Sequence, residues 1–184
     1  LVTPPAEVAS VIMPRRVIPA VPDTREEASC LDRPDVTVLM PVRDGAQWIA
    51  AACRSVLSQS LRSFELVIID DGSRDGTVGQ IEALTGDDPR IRLIRQPALG
   101  IVGALNRGLD VARAPYVARL DADDLAMPDR LARQIEVLEK QSDVVLLGSW
   151  AERIDASGHP RGLLRPETLS DRLSALLQRR NPFV

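Results

Sequence analysis

Three aspartates stand within four positions of the sequence, at Asp121, Asp123 and Asp124, directly after the apolar run YVARL. Carboxylates this close repel one another, and each loses hydration when it is buried. Capping of a helix that begins near Pro128 would explain one or two of them, but not all three. A divalent cation would offset the repulsion, because Mg²⁺ binds one or two carboxylates together with substrate phosphates and water. The spacing therefore predicts a metal-bound diphosphate at this loop.

Two further loops carry aspartate after an apolar run: PVRDG (residues 41–45) and DDGSRDGT (residues 70–77). The second loop also has a simpler explanation, since aspartate and glycine build turns through their own backbone chemistry. The first loop lacks G-x-G-x-x-G, and no G-x-x-x-x-G-K-[ST] is present in the chain. These absences argue against dinucleotide binding in the Rossmann manner and against a P-loop.

The acidic loops follow apolar runs that alternate with amphipathic helical patterns. The runs are residues 36–40, 66–70, 91–94, 116–120 and 144–148, and the helical patterns are residues 48–60, 77–84, 101–109, 128–138 and 170–179. This alternation predicts an open α/β fold with a mostly parallel sheet and helices on both faces. In the common strand order the first strand neighbours the second and fourth, so the three acidic loops should meet where such sheets bind ligands.

Length and composition limit the function classes. The chain has 184 residues, enough for one domain with a core, and its net charge of −3 argues against nucleic-acid binding. The two cysteines, Cys30 and Cys53, lack metal-ligand spacing, which favours a reducing, cytoplasmic setting. No apolar run approaches the roughly 20 residues of a membrane helix.

The N-terminal stretch, residues 1–34, has a different character. It contains five prolines before Pro34 and no helical or strand period, so we predict an extended tail or linker that packs weakly on the domain. The domain itself is expected at residues 35–184.

Four motifs together resemble the family 2 glycosyltransferases of the GT-A fold: VTVLMPVRDGAQWI, FELVIIDDGSRDGT, GALNRGL and YVARLDADDLAMPDRL, in this order and spacing. The resemblance covers residues 35–184 and implies a Rossmann-like sheet. It further implies inverting transfer of a sugar from a nucleotide-diphosphate sugar to an acceptor hydroxyl, with Mg²⁺ or Mn²⁺ at the D-x-D. The implied partners are a UDP- or dTDP-linked donor and a saccharide or lipid-linked acceptor in cell-surface polysaccharide synthesis.

The resemblance also implies roles for individual residues. Asp70 would accept a hydrogen bond from a uracil or thymine ring N–H, whereas Asp71 would order its own loop. Asp123 would bind the metal, and Asp121 would contact either the ribose or the metal. The nucleotide-sugar-binding residues implied in this way are Pro41, Val42, Arg43, Asp44, Asp70, Asp121, Ala122 and Asp123. Arg43 replaces a frequent aromatic residue of the family and could stack on the base.

The general base is expected beyond Val184, because family members continue after a motif like NPFV with an acceptor-binding half. The chain as given should therefore bind donor and transfer poorly, with no catalytic residue assigned. Two alternatives stay open: a non-catalytic nucleotide-binding or interaction module, and a phosphohydrolase with Asp121 as nucleophile. Peripheral contact with the inner face of the membrane and self-association are further expectations.

Overall fold

The computed structural model describes residues 11–14, 33–86, 88–155 and 157–164, with the backbone alone for residues 11–14. The strands are β1 (Val11–Pro14), β2 (Val36–Val42), β3 (Phe64–Asp70), β4 (Ile91–Arg95), β5 (Tyr116–Arg119), β6 (Leu147–Gly148), β7 (Ala151–Ile154) and β8 (Pro160–Leu164), and the helices are α1 (Ile49–Leu57), α2 (Thr77–Thr85), α3 (Gly100–Val111) and α4 (Arg130–Lys140). The helical pattern at residues 170–179 lies outside the described residues.

The main sheet has six strands in the order β4-β3-β2-β5-β1-β6. Strands β2 to β5 are parallel, and their register aligns Val42 with Asp70 and Asp70 with Arg95. The first predicted strand, β2, thus lies between the second and the fourth, as expected. All four parallel strands point their carboxyl ends to one edge of the sheet, and the loops that follow them meet there.

One strand of the sheet comes from the predicted tail. Val11–Pro14 (β1) pairs antiparallel with β5 on one side and with β6 on the other. Within the apolar run at residues 144–148, only Leu147–Gly148 forms a strand, and it pairs with β1 because β1 lies between it and β5. The boundary proposed at residue 35 stays a prediction.

The core has two layers, one on each face of the sheet. Val38 and Met40 of β2 face a cluster that includes Cys53 of α1, Ile81 of α2 and residues of α4. Leu39, between them, faces the opposite way and packs with residues of α3. This period-2 alternation buries both sides of each central strand, which explains why the runs are apolar throughout. The predicted helices on both faces are confirmed.

Gly108 lets α3 approach β2 closely. A Cβ atom placed on Gly108 would lie 2.0 Å from Cδ1 and 3.0 Å from Cγ of Leu39. Leu39 is 2% exposed, so its side chain has no free space to enter. The glycine in GALNRGL is thus explained by packing, and it sets the distance between α3 and the sheet.

Replacing Gly108 with alanine is expected to lower the free energy of unfolding by about 1–3 kcal/mol, because overpacking outweighs the better helix propensity of alanine. The matched control is Gly79→Ala in α2, where a Cβ would meet no atom within 4 Å. This control should raise stability by about 0.5–1 kcal/mol. Urea denaturation followed by circular dichroism measures both, and equal shifts would contradict the packing role of Gly108.

Candidate functional site

The first two acidic loops are joined by reciprocal hydrogen bonds. The backbone N–H of Asp44 donates to Oγ of Ser73 at 2.9 Å, and the N–H of Arg74 donates to Oδ1 of Asp44 at 2.7 Å. Asp44 has a φ of 53°, a left-handed conformation that aspartate adopts more readily than most residues. Asp44, predicted to bind the nucleotide, therefore fixes the first loop to the second in this structure.

Asp75 provides a second clamp that the sequence reasoning missed. Its carboxylate accepts hydrogen bonds from the N–H of Ala46 at 3.0 Å, the N–H of Thr77 at 2.9 Å and the Thr77 hydroxyl. The two bonds from Thr77 and then that from Ala46 hold the pKa of Asp75 below its usual value. Thr77 also accepts from the N–H of Gly45 at 2.8 Å. Aspartate two residues before a helix start was the available signal, since such residues bond the first turn.

Asp70 and Asp71 are separated by the end of β3. Asp70, the last strand residue, is 1% exposed; its Oδ1 accepts from the N–H of Ser73 at 3.2 Å, and its Oδ2 lies 3.9 Å from Nε of Arg95. Asp70 lies outside the set of residues that line the clefts described below, whereas Asp71 lines one of them. A direct contact of Asp70 with a base, implied by the family likeness, stays a prediction that this placement does not favour.

Asp71 holds the loop between β4 and α3, whereas the family likeness implies that it would order its own loop. Its carboxylate accepts from Nε2 of Gln96 at 2.7 Å and from the N–H groups of Leu99 and Gly100, both at 2.8 Å. Burial raises the pKa of Asp71, but these three hydrogen bonds and the charge of Arg43 outweigh it, and the pKa falls below its usual value. Asp71 is therefore an ionised carboxylate at the wall of a cleft.

Two adjoining clefts, of about 250 and 230 Å³, lie at the carboxyl edge of the sheet. They share walls formed by residues 41–43 and Ile101, and the first also reaches Asp71 and α3. The second reaches Trp48 and the loop after β5. Six of the eight predicted nucleotide-sugar-binding residues line the clefts: Pro41, Val42, Arg43, Asp121, Ala122 and Asp123.

The three aspartates in the loop after β5 differ in their partners and exposure. Asp121 forms a two-pronged ion pair with Arg119, and Asp123 is exposed at the cleft. Burial, followed by the charges of Asp123 and Asp121, raises the pKa of Asp124 to about 7, although Arg130 and Arg119 act in the opposite direction. Because both oxygens of Asp121 face a guanidinium, it is a poor candidate for the nucleophile of a phosphohydrolase.

A buried glutamine at the end of α1 fixes the chain that follows these aspartates. Gln59 is 0% exposed; its Nε2 donates to the carbonyl of Met127 at 2.7 Å, and its Oε1 accepts from the N–H of Leu131 at 3.0 Å. Oγ of Ser55 accepts from the N–H of Ala126 at 3.0 Å. No role for Gln59 or Ser55 was predicted from the sequence. A polar residue near the end of a helix does not by itself indicate which distant backbone group it bonds.

The donor chemistry of the aspartate loop fits a hard cation that is shared with a ligand. Within the described ranges, no group of three or more His, Cys, Asp or Glu side chains is placed to hold a metal ion by itself. Asp121 and Asp123 nevertheless line one cleft, and the Asp123 side chain is exposed there. Mg²⁺ or Mn²⁺ with one or two carboxylates, completed by phosphate oxygens and water, matches this set.

The structure is an open α/β sheet with carboxylates, an arginine and apolar walls at the carboxyl ends of its strands, which is where folds of this class bind their ligands. Comparison with known proteins makes the assignment specific. The family model "Glycosyl transferase family 2" matches residues 37–183, and the chain belongs to this family. The resemblance drawn from the four motifs is thus confirmed, as is the GT-A fold with its mostly parallel sheet.

Relatives of the chain carry compatible names. An uncharacterized glycosyltransferase of Haemophilus influenzae is 34% identical over 66% of this chain and 38% of its own length. The putative glycosyltransferase EpsE of Bacillus subtilis is 37% identical over 68% of this chain and 46% of its length. The succinoglycan biosynthesis protein ExoO of Rhizobium meliloti is 41% identical over 56% of this chain and 29% of its own length. The chain therefore spans less than half of the length of these three relatives.

Solved structures show the same fold. The mannosyltransferase PcManGT of Pyrobaculum calidifontis, solved with GDP-Man and Mn²⁺, has a TM-score of 0.52 and 29% identity, over 58% of this chain and 32% of its own. TarS of S. aureus, solved with UDP, has a TM-score of 0.55 and 20% identity, over 59% of this chain and 33% of its own. In the part of the chain described here, none of the helices combines the length and apolarity needed to cross a membrane.

Proposed function

We propose that this chain is the donor-binding part of an inverting glycosyltransferase that transfers a sugar from a nucleotide-diphosphate sugar to an acceptor hydroxyl. The supporting observation is the pair of clefts in which Arg43, Asp71, Asp121 and Asp123 meet. A role in cell-surface polysaccharide synthesis is supported by the relative named for succinoglycan biosynthesis. The cytoplasmic location and the contact with a membrane surface stay predictions.

The cleft beside α3 suits the nucleoside. Its walls combine the apolar side chains of Val42 and Ile101 with the guanidinium of Arg43, which can stack on an aromatic ring. The Asp71 carboxylate offers the acceptor that a uracil or thymine ring N–H requires. We therefore assign the base contact to Asp71 in place of Asp70. Asp71, the first residue after β3, lines this cleft, whereas Asp70, the last residue of β3, does not.

The cleft beside the aspartate loop suits the diphosphate. Asp123 and Asp121 would hold Mg²⁺ or Mn²⁺, which neutralises charge on the diphosphate and improves it as a leaving group. Residues 41–43 separate the two clefts and bring the charge of Arg43 near the phosphates. Catalysis further needs a general base within hydrogen-bond reach of the acceptor hydroxyl. We assign no residue to that role, and a base beyond Val184 stays a prediction.

Titration calorimetry with UDP, dTDP and GDP, each with and without Mn²⁺, tests the donor site. We expect UDP or dTDP to bind in the presence of Mn²⁺ and to bind at least tenfold more weakly in EDTA, because the metal offsets repulsion between the diphosphate and the aspartates. Binding that is independent of Mn²⁺ would contradict the metal-bridged site. Absence of binding for all three nucleotides would reject the proposed function.

Asp71→Asn is expected to weaken binding of UDP by roughly 10- to 100-fold, because a hydrogen bond to a charged acceptor contributes about 1.5–3 kcal/mol. Asp70→Asn is the matched control and should change UDP affinity much less. Thermal unfolding of both variants checks that the loop from Gln96 to Gly100 remains attached. A larger loss of affinity for Asp70→Asn than for Asp71→Asn would restore the assignment implied by the family likeness.

A further inference from the structure

The ion pair between Arg119 and Asp121 occupies the same carboxylate that a metal would need. Nε of Arg119 donates to Oδ1 of Asp121 at 2.9 Å, and Nη2 donates to Oδ2 at 2.8 Å. Arg119 is the last residue of β5, and Asp121 lies two positions further along, in the loop that follows. Bidentate arginine–carboxylate pairs are among the stronger charge-assisted interactions.

The protein fixes the backbone between the two partners, and Asp121 lines the cleft. The carbonyl of Arg119 accepts from Nη2 of Arg130 at 3.0 Å, and the N–H of Leu120 donates to the carbonyl of Leu39 at 3.1 Å. Both side chains of the pair are 38% exposed, so they are neither fully hydrated nor closed off. A cation that enters the cleft would therefore meet Asp121 with both oxygens already bonded to the guanidinium of Arg119.

We propose that Arg119 is a positioning residue that makes metal binding depend on the nucleotide. It lowers the affinity of the aspartate loop for a free divalent cation, because it neutralises Asp121 and repels the incoming ion. The negative charge of a nucleoside diphosphate would attract the cation. Its phosphate oxygens would also accept hydrogen bonds from the guanidinium of Arg119 in place of Asp121. The cation would then bind tightly only together with the diphosphate. This inference rests on the donor site proposed above.

Titration of free Mn²⁺, detected by its electron paramagnetic resonance signal, tests the inference without nucleotide and without activity. Arg119→Gln is expected to bind Mn²⁺ on the order of tenfold more tightly than the wild type, because one nearby positive charge is removed. The matched control is Arg133→Gln, since Arg133 is 80% exposed on α4 and lies 3.7 Å from Asp129. It should leave the affinity unchanged. A purely structural role for Arg119 would predict weaker binding in Arg119→Gln, so a gain in affinity identifies the proposed role.

Arg119→Lys covers the case in which Arg119→Gln does not fold. Lysine keeps the charge but cannot form the fork, so Mn²⁺ affinity should rise about twofold. A folded Arg119→Gln or Arg119→Lys that binds Mn²⁺ no more tightly than the wild type would overturn the inference.

A second titration, in the presence of UDP, separates this inference from the proposed function. The wild type should gain more Mn²⁺ affinity from UDP than Arg119→Gln does, since the variant begins from tighter binding. Equal gains would overturn the inference while the donor site stands. If neither the wild type nor Arg119→Gln binds nucleotide, the proposed function is rejected. If Arg119→Gln nevertheless binds Mn²⁺ more tightly than the wild type, the competition between Arg119 and the metal for Asp121 still holds.

Discussion

Alanine in place of Asp123 is expected to lower the affinity for UDP in the presence of Mn²⁺ by roughly 100-fold or more. Partners that only support a metal ligand already cost about 10–100-fold when they are removed, and a ligand itself should cost at least the upper end. Asp123 is an exposed carboxylate at the cleft, whereas Asp121 is already paired with Arg119. The cation should therefore depend mainly on Asp123.

The metal supplies the sharpest readout for Asp123→Ala. In EDTA the variant and the wild type should bind UDP within about threefold of each other, because the substitution removes a metal ligand and leaves the base cleft intact. Calorimetry under both conditions measures the difference. A loss of affinity that is equally large in EDTA would show that Asp123 acts through the loop and not through the cation.

Asp129→Ala is the matched control for this substitution. Asp129 precedes α4, its side chain is 58% exposed, and its carboxylate lies 3.7 Å from Arg133, so its loss should leave UDP affinity nearly unchanged. Thermal unfolding provides a second check. Asp123→Ala should unfold at the same temperature as the wild type or higher, since the charge of Asp123 raises the pKa of Asp124 and this repulsion is relieved.

The second large effect concerns Glu65, a buried carboxylate at the opposite end of β3. Glu65 is 2% exposed, and its oxygens accept hydrogen bonds at 2.7 Å from the Thr37 hydroxyl, the N–H of Arg113 and Nη1 of Arg92. Nε of Arg113 donates to it at 2.9 Å. The network joins β2, β3 and β4 to the segment before β5, so it stabilises the sheet at the edge away from the clefts.

Replacing Glu65 with alanine is expected to lower the free energy of unfolding by about 2–3 kcal/mol, because the buried Thr37 hydroxyl loses a charged acceptor, whereas the Arg92 and Arg113 side chains are 32% and 59% exposed. Glu139→Ala, on the exposed face of α4, should change it by less than about 0.5 kcal/mol. Urea denaturation measures both variants. The folded fraction of Glu65→Ala should bind UDP as the wild type does, because this network lies far from the nucleotide cleft along β3. A near-neutral Glu65→Ala would show that Arg92 and Arg113 rehydrate without cost.

The same carboxylate predicts how stability depends on pH. Burial raises the pKa of Glu65, but the hydrogen bonds from Thr37, Arg113 and Arg92 and the charge of Arg113 together lower it below the ordinary 4.5. A carboxylate with a depressed pKa in the folded state contributes its stability fully above the unfolded pKa and loses it as the pH falls through the folded pKa. The stability difference between wild type and Glu65→Gln should thus be constant from neutral pH down to about 5 and shrink below 4.5. A difference that persists unchanged at low pH would contradict this role.

Much of the architecture could be predicted from local sequence patterns. Each run such as LVIID is apolar at successive positions because its strand is covered on both faces, and each helix repeats its apolar residues with the helical period. Parallel strands end at a common edge, so aspartates placed after β2, β3 and β5 had to collect there. The order of these strands matches the common order of such sheets, and Arg43, Asp121 and Asp123 line a cleft at that edge.

The orientation of single side chains could not be predicted in this way. Asp44 bonds Arg74 across 30 positions, and Gln59 bonds Met127 across 68; such pairs form only after the sheet has set the distance between loops. The strand at Val11–Pro14 likewise needs the open edge of β5, which its own proline-rich sequence does not reveal.

Local sequence patterns were enough to predict the α/β class, the family and the edge of the sheet at which the aspartate loops meet, because hydrophobic period and the placement of acids after strands are local properties. The folded structure was needed to show that Asp71, one residue beyond the end of β3, lines the cleft proposed for the nucleoside, whereas Asp70 is buried and does not line it. Only the tertiary structure, likewise, paired Asp121 with Arg119. The physical reason is that the exposure and partners of a charged side chain depend on strand register and on loops contributed by distant parts of the chain.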